Sequence, residues 1–234
     1  MSDDDLDRLV GANLAQLPTA VDGNHDYEFT PESVPDLPDV LRCDSIVMTK
    51  GHSLVHGCYP CDNLNVYASR STMRGLGLLA MSALFFPTGR TVEVSLSHSA
   101  SEIKVLRIGA PWTDPHFVTR TVSYTYFPEI PQRHPWYRDR PDPRDLPAFL
   151  LTDRDELGQA TNEDWERDTV VGFGRTEGTA RIAALLLDIG NPLCAPDEFQ
   201  LEGEWGFRGV APLSAEVSFW LPGSIGWMDE YGLE

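Results

Sequence analysis

Alternating apolar and polar positions dominate the chain after about residue 46 and predict a sheet. Residues 63–69 and 91–97 each place apolar side chains at every second position, and residues 103–108 follow after the polar turn 97–101. A period of two is typical of a strand that buries one face. We therefore expect residues 91–97 and 103–108 to form a hairpin.

The longest strand candidate spans residues 117–127. Val118, Val122, Tyr124 and Tyr126 share one face there, while threonines and a serine occupy the other. That arrangement is typical of a strand with one buried and one solvent-facing side. Shorter strands are predicted at residues 148–151, 169–173, 198–204 and 215–221.

Two helices interrupt the predicted strands. The first, at about residues 72–86, is apolar on nearly every side and is expected to lie deep in the fold. The second, at residues 176–189, has apolar residues at i, i+3, i+4 and i+7 from Ile182 and should cover one face of the sheet. Because strands outnumber helices and lie close enough in sequence to form hairpins, we predict an α+β fold with a mainly antiparallel sheet and two core-packing helices.

Residues 1–41 combine acids with four prolines, which favours an extended or irregular chain after a short helix near residues 6–17. We interpret them as an acidic N-terminal arm, with the core beginning near residue 46. Residues 42–234 are interpreted as a single α+β domain. Its segment 128–147 contains six prolines and four arginines and is interpreted as a loop that crosses the surface.

The uncharged run of residues 75–86, which is followed by Pro87, is too short for a membrane span. It has twelve residues, whereas a spanning helix needs roughly 20. The acidic first residues lack the basic and apolar regions of a secretory signal. We therefore expect a cytoplasmic protein whose four cysteines are reduced.

Negative charge is concentrated at the two ends of the chain. Of the formal net charge of −18, residues 1–41 carry −9 (one base, ten acids), residues 42–145 carry +3 (twelve bases, nine acids) and residues 146–234 carry −12 (five bases, seventeen acids). This charge disfavours binding to nucleic acid or to an anionic membrane, because both are negative themselves. It favours a basic protein as partner.

A cluster of cysteines and histidines in residues 52–61 has the residue types that zinc prefers. Its candidate ligands are His52, His56, Cys58 and Cys61. A single Cys-x-x-Cys pair is a weak zinc signal without a second pair, and Cys43 or Cys194 could contribute only if the fold brings them close. We therefore predict no tightly bound zinc and no other cofactor.

The same cysteine pair, Cys58-Tyr-Pro-Cys61, matches the spelling of thiol–disulfide oxidoreductases. In that chemistry the first cysteine lies at the N-terminus of a helix, which lowers its pKa. The residues that follow Cys61 are typical of a turn and a strand, and this disfavours a redox site.

The glycine-rich segment 172–178 lies between a predicted strand and the second helix, as a phosphate-binding loop does. The candidate anion-binding residues are Gly172, Gly174 and Arg175. The spacing matches no standard phosphate-binding motif, and Glu177 would add a negative charge at the site. The alternative is a tight turn in which Thr176 caps the helix.

No catalytic residue is predicted. His98, His116 and His134 stand near no serine or cysteine nucleophile in a recognisable setting. Isolated histidines are more often hydrogen-bonded or exposed than catalytic. The sequence therefore leans away from an enzyme.

The acidic strand predicted at residues 198–204 is the leading candidate site. The candidate partner-binding residues are Glu198, Glu202, Glu204, Trp205 and Phe207. Alternation places the three carboxylates on one face. Carboxylates arranged in this way can bind a cation, act as general bases or dock a basic protein, and a solvated face that resists aggregation is the alternative.

These features together favour an acidic protein-binding module. We expect it to act in the manner of an immunity or antitoxin-like inhibitor that neutralises a basic partner protein. One alternative is an enzyme or small-molecule binder, with or without a metal, built on the 52–61 cluster or on sheet carboxylates. Another is a scaffold module that uses the proline-rich loop as its contact.

Overall fold

The structure is a computed structural model that describes residues 4–17, 26–53, 61–111, 122–125, 146–152, 167–172, 174–191, 198–201, 214–223 and 231–233. Within these ranges, helices combine with mixed sheets, which confirms the α+β fold class. The helices are α1 (Asp5–Asn13), α2 (Arg70–Ala83) and α3 (Thr176–Ile189). The strands are β1 (Asp26–Phe29), β2 (Val40–Cys43), β3 (Ile46–Ser53), β4 (Cys61–Ala68), β5 (Thr91–Leu96), β6 (Val105–Gly109), β7 (Val122–Thr125), β8 (Phe149–Thr152), β9 (Thr169–Gly172), β10 (Glu198–Leu201) and β11 (Glu216–Trp220).

The described strands form three sheets. One has five strands in the order β2-β5-β6-β9-β8, one has four in the order β10-β11-β4-β3, and β1 pairs with β7. Most neighbours are antiparallel, including the predicted hairpin β5–β6. The pairs β2–β5, β6–β9 and β4–β11 are parallel. The sheets are therefore mixed, because each parallel pair joins strands that are separated by long crossover connections.

Helix α3 has the predicted bounds, whereas α2 begins two residues and ends three residues earlier than predicted. The start is set by Ser69, whose hydroxyl accepts a hydrogen bond from the Thr72 N–H at 3.2 Å. At the other end, the N–H groups of residues 84–86 donate to carbonyls three residues back, which tightens the chain before Pro87.

Helices α2 and α3 pack closely at glycines. A Cβ at Gly77 would lie 2.9 Å from the Leu187 nitrogen, and one at Gly190 would lie 2.8 Å from the Arg70 carbonyl oxygen. Helix α2 is buried on nearly every side, as predicted. Helix α3 is buried almost as completely, although its pattern indicated one apolar face. Its small alanines, glycine and threonine allow this close packing.

The acidic N-terminal segment contributes to the core. Leu6 and Phe29 are fully buried and belong to the same hydrophobic cluster as the sheets and helices. A Cβ at Gly75 of α2 would lie 2.9 Å from the Leu6 Cβ, so α1 and α2 are in direct contact. The expectation that the core begins near residue 46 is therefore wrong. The domain boundary at residue 41 stays a prediction, and residues 128–145 of the proline-rich loop lie outside the described residues.

No helix in the described part of the chain has the length and apolar character that a bilayer span requires.

Candidate functional site

The predicted acidic strand is described only in part. Glu198 begins β10, at an edge of the four-stranded sheet, and its backbone is paired in register with Trp220 of β11. Glu202, Glu204, Trp205 and Phe207 lie outside the described residues. The docking role of these five residues therefore stays a prediction.

The structure describes only part of the Cys/His cluster, the part that lies on the hairpin formed by β3 and β4. His52 is the second-to-last residue of β3, and Cys61 begins β4, where its backbone is opposite Ser53, the last residue of β3. His56, Cys58 and Cys194 lie outside the described residues. The strand that starts at Cys61 confirms the expectation that no helix follows the cysteine pair. No group of three or more metal-ligating side chains is found among the described residues.

The strand-to-helix turn before α3 is a tight turn at Gly174. Gly174 has a φ of +81°, which favours glycine. Arg175, and not Thr176, occupies the N-cap position, so the prediction that Thr176 caps the helix is wrong. The Thr176 hydroxyl oxygen is buried, and no group in the described ranges hydrogen-bonds to it. The role of Gly172, Gly174 and Arg175 in anion binding stays a prediction.

Both ring nitrogens of His98 are engaged by backbone groups. Nδ1 accepts a hydrogen bond from the Ala100 N–H at 3.2 Å, and Nε2 lies 3.0 Å from the Tyr231 carbonyl oxygen. The neutral ring protonated at Nε2 satisfies both contacts. His98 is therefore held as a structural side chain, while His116 and His134 lie outside the described residues.

A buried carboxylate that the sequence reasoning missed fastens α1 to the turn between β2 and β3. Asp4, which is 1 % exposed, caps α1 by accepting from the Leu6 and Asp7 N–H groups at 2.9 and 3.1 Å. Its other oxygen accepts from the Cys43 thiol at 3.2 Å and from the N–H and hydroxyl of Ser45. The Asp-Asp-Asp run at the N-terminus contained the capping signal, but nothing in the sequence indicated the distant partners.

Burial and hydrogen bonding shift the pKa values around Asp4 in different directions. Burial alone would raise the pKa of Asp4, but hydrogen bonds from Ser45, Asp7 and Cys43 outweigh it and hold the pKa below its ordinary value. Burial, and then the charge of Asp4, raises the pKa of Asp7. The same two causes raise the pKa of the buried Cys43 thiol far above its ordinary value. Cys43 is therefore an inert structural thiol.

A second cluster lies on a polar face of the four-stranded sheet. Asn63 and Asn65 of β4 are paired in register with Glu216 and Ser218 of β11. Glu216 and Ser218 are buried, although the alternate residues of both strands, on the opposite face, supply the hydrophobic core. The sequence alone predicts that this face is exposed to solvent, because polar residues at every second position are typical of the solvent-facing side of a strand.

Aromatic side chains continue that polar face. The Trp220 indole N–H donates to the Asn65 side-chain oxygen at 3.1 Å, and the Trp220 and Tyr67 rings stack at 6.2 Å. Tyr231 meets Tyr67 edge-on at 5.0 Å. The side-chain oxygen of Asn63 is buried and has no hydrogen-bond partner among the described residues. The face therefore has one buried acceptor that a donor could still engage.

An exposed acidic ridge, formed by Glu32, Asp36 and Asp39, lies on the segment that leads into β2. All three side chains are exposed, and none makes a hydrogen bond or ion pair within the described part of the chain. Buried Leu37 anchors the segment between them. Val40, the next residue after Asp39, is 53 % exposed and begins the outermost strand of the five-stranded sheet.

Basic side chains near this ridge are bound to the protein itself. Arg90 donates to the Leu37 carbonyl at 2.7 Å, and its guanidinium lies 4.7 Å from the centre of the Phe86 ring. Arg107 pairs with Glu93 at 3.1 Å. The nearest exposed base in sequence is Arg42, at the far end of β2. The ridge is therefore an acidic surface that is little neutralised by its neighbours.

A scan against protein-family models found no match to this chain, and searches of curated proteins and of solved structures found no significant match either.

Proposed function

We propose that this protein is an acidic protein-binding module that neutralises a basic partner protein, in the manner of an immunity or antitoxin-like inhibitor. The observation that carries the proposal is the exposed acidic ridge of Glu32, Asp36 and Asp39, which has no partner among the described residues. Exposed acids on one short segment make a negative surface, which attracts a cationic partner.

The distribution of charge supports the same proposal. The chain has a net charge of −18, and two basic side chains near the ridge, Arg90 and Arg107, are engaged in internal contacts. A field of this sign repels nucleic acid and anionic membranes and attracts basic proteins. We include in the proposal a cytoplasmic location and a second docking contribution from the strand that carries Glu198, Glu202, Glu204, Trp205 and Phe207.

The test is the salt dependence of association. The protein is used as bait in host lysate at low salt, and a retained basic protein is then purified and its kinetics are measured at about 20 and 150 mM salt. Electrostatic steering predicts an on-rate that falls steeply over this range while the off-rate changes less. Replacing Glu202 and Glu204 with Gln should slow association, and Trp205→Ala should mainly speed dissociation.

A charge-matched pair of variants controls for net charge. Asp36→Asn and Glu177→Gln each remove one negative charge from an exposed side chain, but Glu177 lies on α3 and outside the ridge. Asp36→Asn should reduce the on-rate clearly more than Glu177→Gln does. The proposal would be contradicted if no basic protein were recovered at low salt. It would also be contradicted if the on-rate of the recovered partner changed neither with salt nor in the two variants.

A second candidate function, the binding of a small polar molecule, is favoured by the buried polar face of the four-stranded sheet. Its support is the unpartnered oxygen of Asn63 in register with buried Glu216. A buried acceptor such as the Asn63 oxygen suits a ligand that donates hydrogen bonds. Native mass spectrometry of the protein from its own host would reveal a bound small molecule. Asn63→Leu should release that molecule, while the exposed control Glu177→Gln should retain it.

A further inference from the structure

The outer edge of β2 carries backbone groups that no other described strand pairs with. β2 is the first strand in the order of the five-stranded sheet, and its neighbour on the inner side is β5. The Asp39 and Cys43 carbonyls accept hydrogen bonds from the Glu93 and Ser97 N–H groups of the inner side, both at 2.8 Å. In a parallel ladder the alternate residues face the other way, so the backbone groups of Val40 and Arg42 point outward.

The outward N–H of Arg42 is occupied by a side chain and not by a strand. It donates to a carboxylate oxygen of Asp5, in the first turn of α1, at 2.6 Å. Asp5 also pairs with Arg8. A carboxylate at this position takes the place that the carbonyl of an adjacent strand would occupy. At the other end of the strand, Val40 is 53 % exposed, and no described strand pairs with its outward side.

The segment that leads into this edge is acidic, while the edge itself carries the exposed base Arg42. Asp39 immediately precedes Val40, and Asp36 and Glu32 precede it on the same exposed segment. An unpaired sheet edge is a ready template for an extended segment of another chain, which adds as a further strand through main-chain hydrogen bonds. Main-chain bonds supply the pairing, and the flanking charges select the sign of the side chains that the incoming segment carries.

We infer that the outer edge of β2 is the place where the basic partner adds an extended segment, displacing the Asp5 carboxylate from the Arg42 N–H. This inference rests on the proposed function and specifies its surface. The incoming segment pairs with the outward backbone groups of Val40 and Arg42, and its lysines or arginines face the acidic ridge. Asp5 protects the edge while no partner is bound.

The test uses two synthetic peptides with identical charge. One alternates lysine with threonine and valine, so that it can form a strand, and the other has the same lysines but prolines at its central positions. Binding to the full chain is measured by fluorescence anisotropy at low salt. We expect the strand-forming peptide to bind at least about tenfold more tightly, because proline cannot donate to a ladder.

Two variants of Val40 separate backbone pairing from side-chain contact. Val40→Pro removes the outward N–H and should reduce binding of the strand-forming peptide to the level of the proline peptide. Val40→Thr keeps the N–H and should bind within about twofold of the parent. Amide hydrogen exchange on the unmodified chain tests the same backbone pairing even if Val40→Pro fails to fold. Exchange at Val40 and Arg42 should slow at least about tenfold on binding the strand-forming peptide.

The outcomes distinguish this inference from the proposed function. Equal binding of the two peptides, with unchanged exchange at Val40 and Arg42, would overturn the edge inference and leave the charge-based proposal standing. Slowed exchange at Glu198–Leu201 instead would also overturn it, because docking would then lie on the other sheet. If neither basic peptide binds at low salt, the inference and the proposed function both fail.

Discussion

Asp4→Asn is expected to destabilise the protein strongly, although it changes one oxygen into a nitrogen at nearly constant shape. One carboxylate oxygen caps α1, and asparagine keeps an oxygen there, which is an effective cap. The other oxygen accepts from the Cys43 thiol, the Asp44 and Ser45 N–H groups and the Ser45 hydroxyl. In the variant an amide NH₂ would face these donors, which would lose their acceptor.

The magnitude follows from the number of groups left without a partner. A donor that loses its acceptor on burial costs about 1–3 kcal/mol, and several share the Asp4 oxygen, although the half-buried ones regain water. We expect a loss of about 2–4 kcal/mol in the free energy of unfolding. For a domain of this size, that corresponds to roughly 5–15 °C in Tm.

The assay is urea unfolding at pH 7 and over a range of acid pH, with Asp7→Asn as the matched control. Because the folded-state pKa of Asp4 lies below its unfolded value, its contribution is fully present above about pH 4 and is lost as the pH falls further. The deficit of Asp4→Asn should therefore shrink in acid. The pKa of Asp7 is raised, so its charge opposes folding at neutral pH, and Asp7→Asn should change stability by about 0.5 kcal/mol or less. A loss below about 0.5 kcal/mol in Asp4→Asn would refute the reasoning.

Other substitutions test the packing and the Cys/His cluster. Leu186→Ala on α3 should cost about 2–5 kcal/mol in chemical unfolding, because Leu186 is buried, and a loss below about 0.5 kcal/mol would place it at a surface. Gly178→Ala should lower the free energy of unfolding by about 1–3 kcal/mol, because the added Cβ would lie 2.7 Å from the backbone of residues 146–147. Gly11→Ala is the matched control: the added Cβ meets open space and should stabilise α1 by about 0.5–1 kcal/mol. Elemental analysis should find far less than one zinc per chain, and the double variant Cys58→Ser/Cys61→Ser should lower Tm only modestly. One zinc per chain, together with unfolding of the double variant, would contradict the prediction that no zinc is tightly bound.

Local sequence patterns predicted the helices and strands well, because each helix or strand depends mainly on residues that are close in sequence. The strands β4, β5, β6 and β11 follow from alternation, and α3 follows from its helical spacing and the stop after it. The parallel pairs could not be predicted in the same way, since β4 and β11 meet across about 150 residues and pairing depends on the whole topology. The Thr176 cap was assigned one residue too late, because threonine at the first helical position satisfies the same pattern as an N-cap.

The candidate sites were harder to predict because their partners are distant in sequence. Asp4 and Ser45 are 41 residues apart, and the polar rows of β4 and β11 are about 150 residues apart. Neither group indicates a site by its local sequence, because acids before a helix and polar residues at alternate positions of a strand are both common. Only the fold shows that Asn63 stands beside Glu216, and that Glu216 and the side-chain oxygen of Asn63 are buried.

The charge of the N-terminal region is the property whose meaning changes most once the fold is known. The sequence assigns −9 to residues 1–41, which suggests one acidic surface. In the fold, Asp4 is buried and Asp5 bonds the edge of β2, so these acids act on the protein itself. Glu32, Asp36 and Asp39 instead remain exposed beside a strand edge with which no described strand pairs. Steering depends on charges that face solvent, whereas buried charges act through short hydrogen bonds, so the exposed ridge has more weight in recognition than the net charge itself.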